Sequence, residues 1–120
     1  MPVRSLSSSV FTWPDRIQVD EAARAWAAEA ARQHPELLKA GYFGSYARGD
    51  WGVGSDLDLV AIVEETSERF ERRSLSWDLS KLPVQAELLI YTEDEWLRLR
   101  AEGSRFARTL AREVVWVYHT

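Results

Sequence analysis

Cysteine is absent from the 120-residue chain, which excludes disulfides, thiolate nucleophiles and cysteine zinc sites together. Histidine is nearly as scarce. His34 and His119 have no neighbours at metal-ligand spacing, so the first reads as a helix-end cation and the second as tail. No apolar run approaches the length of a membrane span, and the opening MPVRSLSSSVFTWPD lacks the apolar core of a secretory leader. A cytoplasmic protein without membrane contact is therefore expected. Positive charge is also in short supply: 15 lysines and arginines against 19 acids leave a formal charge of −4. The broad basic surface of a nonspecific nucleic-acid binder is missing, and nucleic acid is not expected as a direct ligand.

What remains is an ordinary globular composition, 46% hydrophobic and 28% charged, which argues against extended disorder. The length fits one domain spanning residues 1–120, with residues 1–15 a mobile or loosely packed start and a short strand expected through Val10 and Phe11. Asp20 reads as the N-cap of a first helix, whose stripe of Val19, Ala22, Ala23, Trp26, Ala27, Ala30 and Ala31 recurs at helical spacing until Pro35. Strands are expected over residues 39–43, 56–63 and 84–92, with a helix over 66–81 closed by Pro83. Thr92 and Glu95 form a capping-box signature for the next helix. Gly103 breaks it, helical spacing resumes over 105–112, and EVVWVY reads as a last strand. Helices alternate with strands, so the class is α/β (α+β) with a small mixed sheet.

One stretch does not fit a plain structural reading. GSYARGDWGVGSDLDL, residues 44–59, is a glycine-flanked polar turn followed by two aspartates one residue apart among leucines. In a strand, Asp56 and Asp58 would share a face, about 7 Å apart by backbone rise, while Leu57 and Leu59 pack behind. Like charges so placed repel in a half-buried site, and a divalent cation removes the conflict. Magnesium suits it, because this hard ion takes oxygen ligands and is commonly held by one or two carboxylates plus substrate phosphates. The turn supplies the complementary half. Gly44 allows close backbone approach, Ser45 offers a hydroxyl, and Arg48 adds a charge that either meets phosphate or makes a surface ion pair. Ser55 either orients Asp56 or closes the turn. Glu87, among apolar neighbours in the next strand, is the candidate third carboxylate, as a second metal ligand or as acceptor of a hydroxyl proton. Trp51 could stack a base or simply pack. Arg98, Arg105, Arg108 and Arg112 read as a solvated basic face.

GSYARG, a short spacer and SDLDL, followed by an acidic residue heading ELLIYT, resemble the nucleotidyltransferase superfamily that includes polymerase-β-type enzymes. The short chain resembles its minimal (MNT) branch, often encoded beside HEPN-domain partners. The likeness covers about residues 39–91. It implies a nucleotidyltransferase fold, Mg²⁺ and a nucleoside triphosphate, most often ATP. Carried residue by residue, Gly44 and Ser45 would contact the triphosphate, Asp56 and Asp58 would hold metal, and Glu87 stands where the family usually places aspartate. It further implies a cytoplasmic antitoxin that transfers AMP to a tyrosine hydroxyl of a HEPN-type toxin. A nucleotide-binding antitoxin that masks its partner without turnover, and transfer to a small molecule or an RNA end, stay open beside it.

Overall fold

The computed structural model describes residues 13–120, so the expectations for Ser5 to Phe11 lie outside the described residues. The first element of the described residues, α1 (Arg16–Gln33), is opened by Asp15, whose side chain accepts from the Gln18 amide while Gln18 reaches back to the Asp15 N–H. This corrects the N-cap assignment to Asp20. That residue lies one turn inside the helix, where its carboxylate pairs with Arg24 and accepts from the Tyr42 hydroxyl. Trp13, expected within the loose start, is tied down by its indole N–H, which donates to the Tyr46 hydroxyl at 2.8 Å.

Four strands follow: β1 (Leu37–Phe43), β2 (Leu57–Val63), β3 (Ala86–Thr92) and β4 (Val115–His119). Between them lie the single-turn α2 (Ser45–Arg48), a 3₁₀ segment (Phe70–Ser76), α3 (Glu93–Glu102) and α4 (Arg105–Glu113). The sheet runs β3-β2-β1-β4. β1 is antiparallel to both β2 and β4, whereas β2 and β3 are parallel. His119 is therefore not tail but the last residue of β4, opposite Lys39.

Both faces of β2 are covered, which is why DLDLVAIV reads as a nearly unbroken apolar run after its acidic start. Leu57, Leu59, Ala61 and Val63 face α1, whose Val19, Ala23, Trp26 and Ala27 close one core. Val60 and Ile62 face the other way, onto Trp96 of α3 and Leu110 of α4. Complete burial of a side chain such as Leu59 contributes about 2 kcal/mol, so this inner strand is held from both faces.

The parallel β2–β3 pair requires a crossover, and residues 64–85 provide it. Here the expected helix over 66–81 does not form. The chain makes the 3₁₀ segment and then irregular turns, because tertiary ties outweigh helical propensity. The buried Arg73 guanidinium bonds the Glu68 carbonyl, the Ile90 carbonyl of β3 and both oxygens of Glu95 in α3. Asp78 turns back onto the Ser80 amide and hydroxyl, an alternative to helical pairing. The capping box of Thr92 and Glu95 and the break at Gly103 form as expected, and Ser104 caps α4.

Candidate functional site

β1 ends beside Asp58 of β2, its partner across the antiparallel ladder being Phe43. The next residue, Gly44, takes φ 79°, ψ −150°, which glycine adopts without the penalty a side chain would meet. A Cβ on Gly44 would also run into the Asp58 carboxylate. The turn therefore lies against that carboxylate because this residue has no side chain. Gly44→Ala is expected to cost about 1–3 kcal/mol from backbone strain alone and to push the Asp58 side chain aside. Comparison of denaturant midpoints with wild type checks the magnitude.

Asp58 sits half-buried on the face that carries Val60 and Ile62. Glu87 is its registered neighbour on β3, so both side chains occupy the same face. Asp56 lies one residue before β2 and is exposed, a correction to the strand start at 56. Glu87 is likewise exposed, because β3 is an edge strand; the reading of it as a charge held among apolar residues does not survive. Burial, then the charges of Glu87 and Asp56, push the Asp58 carboxyl above its ordinary value, with Arg48 acting in the opposite direction. Gly44, Ser45, Arg48, Asp56 and Asp58 line one open cavity of about 410 Å³, together with Phe43, Phe106, Thr109, Leu110 and Glu113. Glu87 borders Asp58 without lining that cavity. Among the described residues, no three acidic or histidine side chains already stand in a shared metal-ligating cluster.

Arg48 is engaged with two carboxylates, Asp50 at 3.0 Å and Glu113 at 3.3 Å. Ser55 closes the turn, its hydroxyl accepting from the Gly52 amide at 2.8 Å. Trp51 is stacked on Tyr46, ring centroids 5.5 Å apart, and Tyr46 is wholly buried with its hydroxyl against Trp13 and Pro14, so the aromatic residues of the motif anchor the turn. Sequence reasoning missed Glu113. Its Oε1 accepts from the Gly44 amide at 3.1 Å, across 69 residues of chain. The signal available was weak: an acidic residue ending a helix, where the dipole favours a cation. His34 stacks on Trp77 with centroids 3.9 Å apart, away from this cavity, and Arg98, Arg105, Arg108 and Arg112 are exposed.

The model of the nucleotidyltransferase domain matches residues 25–112, which run from the middle of α1 to the last turn of α4 and include every residue of the cavity except Glu113. The chain belongs to the nucleotidyltransferase domain family. No curated protein matches it. Among solved structures, it resembles a candidate nucleotidyltransferase from Sulfolobus solfataricus at 18% identity, covering 98% of this chain and 90% of that one with a TM-score of 0.62. A toxin–antitoxin structure with AMP-PNP matches at 21% identity over 81% of this chain and 73% of the other, TM-score 0.58. The toxin–antitoxin MntA–HepT structure matches at 18% identity over 83% and 73%, TM-score 0.52. At these identities the likeness is one of fold. The carboxylate oxygens of Asp58 and Asp56 are of the kind a hard divalent cation takes, and such an ion would offset both the burial of Asp58 and the repulsion it meets from Glu87 and Asp56.

Proposed function

We propose that this nucleotidyltransferase domain binds Mg²⁺ and ATP and transfers AMP to a tyrosine hydroxyl of a HEPN-type toxin, so acting as an antitoxin. The observation that carries the reading is the placement of the Gly44 turn directly against Asp58 in a cavity shared with Asp56, Ser45 and Arg48. Asp56 and Asp58 would hold the metal, which when bound neutralises the triphosphate and polarises the phosphoryl group. Gly44 and Ser45 would receive triphosphate oxygens, and Arg48 would pair with one of them. Ser55 keeps the spacer folded so that Asp56 enters the cavity.

In the transfer, the acceptor oxygen bonds to the α-phosphorus as the bond to pyrophosphate breaks, and the hydroxyl proton leaves to a carboxylate. Glu87 suits that last role: it is exposed beside Asp58 on the edge strand, where an acceptor from another chain can reach it. The main work is positioning and charge neutralisation.

Incubation with Mg²⁺, α-labelled ATP and a HEPN-domain protein encoded beside this one tests the reading. Label is expected on the partner's tyrosine with wild type and not with Asp56→Asn/Asp58→Asn. Label with both proteins would refute the assignment of the two aspartates. ATP binding without label on the partner would favour a masking antitoxin instead.

A further inference from the structure

Glu113 ends α4 with its carboxylate on the turn that the proposed function gives to the triphosphate. Oε1 accepts from the Gly44 amide at 3.1 Å, and the two oxygens lie 3.3 and 3.4 Å from Nη1 of Arg48. The Glu113 side chain is only 13% exposed, although its charge opposes the dipole at the end of its own helix. α4 gains nothing electrostatic from it; the neighbouring Arg112 is the residue that end of a helix favours. The position of Glu113 is thus set by the turn, one planar anion held by one amide and one guanidinium. A phosphate oxygen pair would make the same contacts.

We propose that Glu113 is an internal phosphate mimic, which holds the Gly44 amide and Arg48 in the ligand-free protein and must be displaced when a triphosphate binds. It therefore sets the nucleotide affinity of the site. The inference rests on the nucleotide-binding reading above. Displacement costs the charge-assisted hydrogen bonds from the Gly44 amide and Arg48 and leaves a carboxylate near incoming phosphates, so wild type binds nucleotide more weakly than its cradle alone would allow. Arg48 keeps Asp50 as a second partner, which holds the guanidinium at the turn when Glu113 leaves.

Calorimetric titration with Mg²⁺–ATP tests this on wild type, Glu113→Gln and Glu113→Asp, the second variant shortening the reach while keeping the charge. Glu113→Gln is expected to bind about tenfold more tightly than wild type, and Glu113→Asp also more tightly. Hydrogen exchange provides the second readout. The Gly44 amide should exchange faster in ligand-free Glu113→Asp, whose shorter side chain withdraws the acceptor, and become protected on adding Mg²⁺–ATP. Binding that is equal or weaker in both variants, at unchanged melting temperature, would overturn the role of Glu113 and leave the nucleotide site standing. Failure of all three proteins to bind would instead overturn the nucleotide reading, and the proposal with it.

Discussion

Asp58→Asn is expected to abolish nucleotidyl transfer, by on the order of 10³-fold or more, while raising the melting temperature of the ligand-free protein. The two effects have one cause. Asp58 is half-buried, faces Glu87 and Asp56, and has no hydrogen bond to the described residues that offsets its desolvation. Its carboxyl is raised above the 3.8 of an unperturbed aspartate, so the folded state holds this proton more tightly than the unfolded chain. The favourable contribution is complete below that ordinary value and is lost as pH rises through the folded-state value. At neutral pH the ionised group therefore weakens the fold, and asparagine removes the penalty without changing shape. Function needs the charge that stability does not. Melting curves at pH 4 and pH 7 check the sign: the advantage of Asp58→Asn should be larger at pH 7. An advantage of equal size at both values would mean that the charge is not its source.

Arg73→Met is the substitution expected to destabilise most. Arg73 is 9% exposed and joins three elements, accepting no bonds and donating to Glu68 O at 3.0 Å, Ile90 O at 3.0 Å and the Glu95 carboxylate at 2.6 and 3.1 Å. Methionine fills similar volume but leaves two carbonyls and a carboxylate without their donor, at a cost of about 3 kcal/mol. The figure sits at the low end for such pairs because Glu95 is 32% exposed and regains some water. Glu95 is held down to about 2, first by its bond to Arg73 and further by the Thr92 amide. Its contribution to stability is present above its ordinary 4.5 and disappears as pH falls toward 2. Acid titration of stability should thus be steep in wild type between those values and shallower in Arg73→Met. Urea unfolding at pH 7 and pH 3 measures both quantities.

The same arginine explains where the fold was hard to read. Residues 66–81 have helical composition, but Arg73 and Asp78 take up the backbone and side-chain partners through contacts with Glu68, Ile90, Glu95 and Ser80. Nothing local in the sequence announces a bond from residue 73 to residue 90. The start of α1 was misread for a different reason: Asp15 and Asp20 are both capping residues, and only Gln18, three positions after Asp15, distinguishes them. By contrast, the capping box at Thr92, the interruption at Gly103 and the apolar run of β2 were legible because each depends on neighbours in the chain. At the candidate site, GS and the two aspartates of DLD could be read together, and Gly44, Ser45, Asp56 and Asp58 do line one cavity. Glu113 could not, since its contact with Gly44 depends on how α4 packs over the sheet. The exposure of Glu87 belongs to the start of an edge strand whose Leu88 and Ile90 are buried, and the place of β3 at the sheet edge is set by strand order.

On the function proposed above, Asp56 and Asp58 tolerate each other because a dication arrives with the triphosphate. Titration of wild type and Asp56→Asn/Asp58→Asn with a non-hydrolysable ATP analogue, in magnesium and in excess chelator, tests it most directly. Wild type should bind tightly only with magnesium, and magnesium should not improve binding by the double variant. Equal binding by wild type with and without magnesium would contradict it.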